Sequence, residues 1–216
     1  SLCCWQEPCP LTKELVGLAG NILELLSADN SVLLLVDYQR AMYAGVGSRD
    51  RNAINDGVVA LAKAAKILDV PVVLSSIWPD GNGEFTSEVT GLFPNQTPLA
   101  RGIMGFDALE DKPVLDAVKA AGRKKVVVSG LWTSMCFADT AIHAVREGFD
   151  VYGVMDAAGD WNAETHQYGV ERMIQAGVVP ITWMPVVSEW MHDWGNPKAD
   201  QLKQEVYGRY DTILAM

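Results

Sequence analysis

Apolar residues arrive along this chain in two rhythms. Val32-Leu-Leu-Leu-Val36, Pro71-Val-Val-Leu-Ser75 and Lys125-Val-Val-Val-Ser-Gly130 are short runs without polar alternation, as expected of strands covered on both faces. Asp150-Val-Tyr-Gly-Val-Met155 and Val178-Val-Pro-Ile-Thr-Trp183 continue that series. Between the runs the period becomes helical, with Ile54, Val58, Leu61, Ala65 and Leu68 recurring within Arg51 to Asp69. Lys112 to Ala121 reads as a helix closed by Gly122, Ser134 to Glu147 as one closed by Gly148, and Glu164 to Ala176 as one closed by Gly177.

Strands and helices taken in turn, with strands buried on both sides, predict an α/β fold, a three-layer α/β/α sandwich around a mainly parallel sheet. Ligands in such open sheets sit beyond the C-terminal strand ends, so the residues just after Val36, Ser76 and Gly130 are the ones to inspect. The main domain is expected over 31–195, preceded by an arm over 1–30 and followed by a helical tail over 196–216. Leu11 to Leu26 and Lys198 to Met216 carry the helical periodicity of these two flanks. No internal repeat or composition break divides the chain further.

With 216 residues, 49% of them hydrophobic and 20% charged, one compact domain with a sizeable core is expected. A net charge of -10 argues against binding nucleic acid, which needs Lys and Arg to displace the counterions of phosphates. No apolar run nears the roughly 20 residues of a membrane span, and the first ten residues lack the basic and long apolar regions of a signal peptide. Cys3, Cys4 and Cys9 cluster at one end and Cys136 stands alone. That is no disulfide framework for a chain of this size, and the terminal three read as incidental thiols, with a metal clip or an intersubunit disulfide as alternatives. A cytoplasmic protein fits best.

Two residues carry candidate chemistry. Asp37 directly follows the first strand, where a carboxylate faces the cleft or else caps a loop. Cys136 lies in Ser129-Gly-Leu-Trp-Thr-Ser-Met-Cys136, a strand, a small-residue turn and the start of a helix. A thiol there is expected to feel the helix dipole and free N–H groups, which favour thiolate and could hold an oxyanion. The plain alternative is a small hydrophobe in a buried helix.

Val-Asp-Tyr-Gln39, the Gly-x-x-Thr-x-x-Cys turn of Gly130 to Cys136, the Ala-x-x-x-Gly-Phe-Asp-Val run of Ala144 to Val151 and Asp156-Ala-Ala-Gly together resemble the isochorismatase-like cysteine hydrolases. Arg172-Met-Ile-Gln-Ala-Gly177 and Thr182-Trp-Met resemble the YcaC-type subgroup in particular, and the similarity runs from about Ser31 to Trp194. The resemblance implies a metal-independent hydrolase that cleaves a C–N bond of a small amide through an acyl-enzyme, with Cys136 as nucleophile and Asp37 as its base. It implies an oxyanion site at Thr133 and Cys136 and a non-proline cis peptide at Trp132-Thr133. It also implies a homo-oligomer and no cofactor.

The third member of the family's Asp-Lys-Cys triad departs from the pattern. Between Asp69 and Asp111 the single cation is Arg101, in Leu99-Ala-Arg-Gly-Ile-Met-Gly-Phe106, so arginine stands where the family has lysine. Arg holds its proton at any relevant pH while a desolvated Lys can release one. Arg101 therefore serves as a fixed charge, or else sits in a surface salt bridge. Gln39, Trp78, Phe106 and Trp132 flank the motif segments as candidates for the wall of a small-substrate site, the aromatics otherwise being core or interface residues. Asn162 and Glu164 are weaker candidates for the cleft or a neighbouring subunit.

His143, His166 and His192 lack metal-ligand spacing. Where nicotinamidase-like relatives place an Asp-x-His zinc motif, this chain reads Ser76-Ile-Trp-Pro-Asp80, so no metal is expected. Two further functions stay open: a catalytically impaired family member acting as a binding or scaffold subunit, and a redox-sensing thiol protein.

Overall fold

A computed structural model describes residues 24–208. Among the described residues six strands form one sheet: β1 (Ser31–Val36), β2 (Val72–Ser76), β3 (Leu99–Ala100), β4 (Lys125–Gly130), β5 (Asp150–Val154) and β6 (Val179–Ile181). Their order is β3-β2-β1-β4-β5-β6, every neighbouring pair parallel. The longer helices are α1 (Arg51–Ile67), α2 (Lys112–Ala120), α3 (Ala138–Arg146), α4 (Ala163–Gln175), α5 (Trp183–Met191) and α6 (Ala199–Glu205).

The apolar runs lie between two cores. Leu33 and Leu35 of β1 pack with Ile54, Leu61, Val186 and Leu202 of α1, α5 and α6, while Val32, Leu34 and Val36 pack with Val114, Ala141 and Met173 of α2, α3 and α4. Both faces of the strand are therefore covered, which is why β1 never alternates with polar residues. Helix starts are fixed by short polar side chains. Asp50 accepts from Asn52 N at 2.7 Å and Ala53 N at 3.1 Å to cap α1, and Asn162 accepts from Thr165 N at 2.8 Å to cap α4. Gly148 (φ +87°) and Gly177 (φ +95°) take the left-handed turns that end α3 and α4.

Several boundaries differ from expectation. The two-residue β3 is too short for its periodicity to register, and it adds a sixth strand. The run expected to be a strand to Trp183 ends at Ile181, because Trp183 begins α5, with its N–H held at 2.9 Å by Asp156 Oδ1. Pro180 is tolerated in β6 because that strand is an edge. Of the helix expected over Leu11 to Leu26, the part before Glu24 lies outside the described residues, and Glu24 to Leu26 are not helical. Among the described residues no helix is long and apolar enough to cross a membrane.

Strand order reverses between β1 and β4, the point where open α/β sheets place their ligands. Register aligns the exits: Val36 pairs with both Ser75 and Gly130, and Ser76 pairs with Ala100. The chain thus leaves the sheet at Asp37, Arg101 and Leu131 along one edge.

Candidate active site

Asp37 is the first residue beyond β1 and turns there with φ +59°, its N–H still bonded to Ser75 O at 2.9 Å. Arg101 is the first residue beyond β3, its N–H bonded to Ser76 O at 3.0 Å. The side chains meet end-on: Nη1 donates to Oδ1 and Nη2 to Oδ2, each at 2.8 Å, and Nη1 also reaches Ser75 Oγ at 3.2 Å. Both side chains are fully buried, which removes the surface salt bridge as a description of Arg101. Ser75 was missed by sequence reasoning, although its place at a strand end could have found it.

Cys136 lies in a single π-helical turn, Thr133–Phe137, that joins β4 to α3. Gly130 lets the chain reach it, since a Cβ there would stand 2.8 Å from Val36 Cβ and O. The thiol is buried, and Asp37 and Arg101 both stand close enough to act on its titration. Here the expectation of a stabilised thiolate is corrected. Burial pushes the thiol well above its ordinary value, the Asp37 charge pushes it the same way, and Arg101 only partly opposes them. Burial likewise raises the Asp37 carboxyl against the lowering effect of Arg101. The group is a protonated thiol beside the buried Asp37–Arg101 pair.

The turn is held from outside by residues that the motif reading did not single out. Ser134 N–H donates to Asp160 Oδ2 at 2.7 Å, and Thr133 Oγ1 pairs with His166 Nδ1 at 2.8 Å. Burial, then nearby Arg49, lowers the His166 pKa while Asp160 opposes them, so the ring is neutral at neutral pH. Thr133 N–H donates to Gly159 O at 3.0 Å, so of the expected oxyanion pair Thr133 and Cys136 the first is already engaged. The cis peptide stands one residue earlier than expected, at Leu131-Trp132.

The other expected wall residues do not converge. Gln39 is completely buried, its amide accepting from Ile77 N at 2.9 Å and donating to Gly83 O at 2.8 Å, so it clips two loops together. Trp132 donates from its indole to Met42 O at 2.8 Å and packs on Trp161, ring centres 5.1 Å apart. Trp78 is 51% exposed and folds back over Gly81. Phe106, also 51% exposed, lines a 400 Å³ cleft with Asp107, Ile142 and His143 on the outer side of α3. Larger clefts of 1060 and 990 Å³ lie elsewhere, the first around Arg40, Tyr43 and Glu88, the second around Asp56, Lys63 and Asp156. Among the described residues no group of three or more His, Cys, Asp and Glu side chains is arranged to hold a metal ion.

The profile of the isochorismatase domain matches residues 31–184, which hold Asp37, Arg101 and Cys136. The chain belongs to the isochorismatase family. It is 33% identical over 172 residues to the probable hydrolase YcaC of Escherichia coli, covering 79% of this chain and 82% of that protein. The crystal structure of the Escherichia coli YcaC gene product, an octameric hydrolase of unknown specificity, superposes with TM-score 0.82 and 31% identity over 88% of this chain and 95% of that one. YcaC from Pseudomonas aeruginosa, solved with hexane-2,5-diol and covalent acrylamide, gives TM-score 0.83 and 28% identity over 89% and 96%. Membership in this hydrolase family and the α/β fold are thereby both shown.

Proposed function

We propose that this protein is a cysteine hydrolase cleaving the C–N bond of a small uncharged amide, with Cys136 as nucleophile and Asp37 as base. The observation that carries the reading is the buried ion pair of Asp37 and Arg101, 2.8 Å at each contact, beside the buried Cys136 thiol. Asp37 takes the thiol proton as Sγ adds to the carbonyl, then returns it to the departing amine, leaving an acyl-enzyme for water to cleave. A carboxyl raised by burial is a stronger base than an ordinary one, which suits that exchange. The Asp37 and Arg101 charges cancel, so the interior has no net charge to attract an ionic substrate.

The covalent acrylamide carried by the Pseudomonas aeruginosa relative supports a reactive nucleophile in this family, since acrylamide is captured by addition to its activated C=C bond. A homo-oligomer is part of the same reading. The Escherichia coli relative is octameric, and this chain exposes Met104, Phe106, Trp161 and Tyr168, apolar surface suited to a second copy.

The deciding experiment assays wild type and Cys136→Ala against a panel of small amides. Hydrolysis by wild type that falls at least about a thousandfold in the variant is expected. Turnover that survives the substitution overturns the proposal.

A further inference from the structure

Beyond β4 the chain keeps a neighbour on its way into the Cys136 turn. Leu131 pairs with Gly159 in a parallel bridge, and Thr133 N–H donates to Gly159 O at 3.0 Å. Asp160, fully buried, ties the two segments together: Oδ2 accepts from Ser134 N–H at 2.7 Å and Oδ1 from Trp161 N–H at 2.8 Å. Its backbone is engaged as well, the carbonyl by Gly47 and Ser48 N–H at 2.9 and 3.0 Å and the N–H by Ser48 Oγ at 2.8 Å. One carboxylate therefore fixes the backbone of Trp161 to the turn that carries Cys136.

The indole of Trp161 packs on Trp132, ring centres 5.1 Å apart and tilted by 59°. Trp132 is itself held, donating to Met42 O at 2.8 Å and leaving no room for a Cβ at Gly45, which would stand 2.3 Å from its ring. Yet Trp161 remains 61% exposed. A fixed aromatic ring that still faces solvent offers apolar area to a ligand at little conformational cost. It also borders the exit of β4, beside the reversal of strand order where open α/β sheets take their ligands. Cys136, by contrast, is 4% exposed, so the reacting amide group enters a narrow space and the rest of a larger molecule stays outside.

We infer that Trp161 is a specificity-determining residue whose exposed indole receives an apolar substituent of the amide that reacts at Cys136, which rests on the cysteine-hydrolase reading above. The substrate class narrows to uncharged amides bearing an alkyl or aryl group, on the acyl side or on the nitrogen. Met104, Phe106 and Tyr168 remain as the apolar surface for a second copy.

The test compares kcat/KM of the full-length protein for acetamide, hexanamide and N-hexylacetamide. Wild type is expected to favour one of the longer amides over acetamide at least about tenfold, and Trp161→Ala to lose most of that preference. The favoured amide tells which side of the C–N bond rests on the indole. Taking the ratio within each protein cancels any shared loss of active sites. Should Trp161→Ala not fold, Trp161→Gln keeps side-chain bulk without the apolar face and decides in the same way. A wild type without preference, or a preference that survives both substitutions, overturns the inference, and so does a change in assembly size with the ratio intact. Failure of the hydrolase reading looks different: wild type turns over none of the three amides, or Cys136→Ala still does. In that event the rate of Cys136 capture by N-hexyl-2-iodoacetamide relative to iodoacetamide, followed by mass spectrometry, reads the same preference and is expected to fall in Trp161→Ala; an unchanged ratio overturns the role of Trp161.

Discussion

Asp37 and Arg101 face each other end-on, each carboxylate oxygen 2.8 Å from its own guanidinium nitrogen and neither side chain in contact with water. The desolvation of both charges is offset only while both are present. Asp37→Asn and Arg101→Ala are each expected to lose about 3–5 kcal/mol, whereas the apolar pair Asp37→Leu with Arg101→Met is expected to be about neutral or more stable. Urea unfolding of the three variants checks this. Single variants within 1 kcal/mol of wild type would contradict a dry ion pair.

Thiol chemistry separates a resting neutral cysteine from a resting thiolate. Because burial and the Asp37 charge raise the Cys136 pKa, its thiolate fraction at pH 7.5 lies below that of free cysteine, whose pKa is about 8.5. Iodoacetamide is therefore expected to alkylate Cys136 more slowly than free cysteine at that pH, with the rate still climbing above pH 9. Fast alkylation at pH 6 would show a thiolate ground state. Asp37→Asn is expected to lower kcat on an amide by about 10²–10⁴ with a smaller change in KM.

Much of this arrangement was legible in the sequence, and the reasons differ by residue. Val32 to Val36 announced a doubly covered strand, so Asp37 could be placed at its exit, and the small-residue turn placed Cys136 opposite. Arg101 stood out as a lone cation, but the strand that delivers it has two residues and no period to read. The clip made by Gln39 and the scattering of Trp78, Phe106 and Trp132 were not legible, because loop paths depend on tertiary contacts that proximity to a motif does not encode. The thiol's charge state was misjudged because a local helix-end argument omits burial, which dominates once the fold closes over it.

His166 supplies a pH-dependent term. Its pKa in the folded protein lies below the unfolded value of about 6.5, lowered by burial and Arg49 and opposed by Asp160. The unfolded chain therefore binds the proton more tightly. Stability is complete above about pH 6.5 and falls as pH drops from there through the depressed folded-state value. Thermal unfolding of His166→Asn, which keeps a partner for Thr133 Oγ1, is expected to lose that part of the acid slope. An unchanged slope would assign it to other groups.

Gly169 of α4 rests against the turn that carries Cys136, where a Cβ would stand 2.8 Å from Ser134 Cα. Gly169→Ala is expected to destabilise by about 1–3 kcal/mol through overpacking. It is also expected to reduce kcat by more than its effect on folding explains, since Cys136 lies two residues past Ser134 and small displacements are costly at a reacting centre. Calorimetry together with amide hydrolysis decides; full activity in the variant would show that the turn moves freely.

Oligomerisation is checked at the loop after Arg101. Met104 and Phe106 are 62% and 51% exposed, so replacing both with Asp leaves the core intact while charging that surface. Light scattering is expected to show a large assembly for wild type and smaller species for the double variant. A monomeric wild type would sink the proposal.

The exits of β1, β3 and β4 onto one edge have an evolutionary consequence. Asp37, Arg101 and the approach to Cys136 take their positions from the ladder register, Val36 against Ser75 and Gly130 and Ser76 against Ala100. Residues 78–98 and 102–107, which link and border these exits, contribute no side chain to the Asp37, Arg101 and Cys136 contacts described. Those loops can therefore change in sequence and length across lineages without disturbing the placement of Asp37, Arg101 and Cys136.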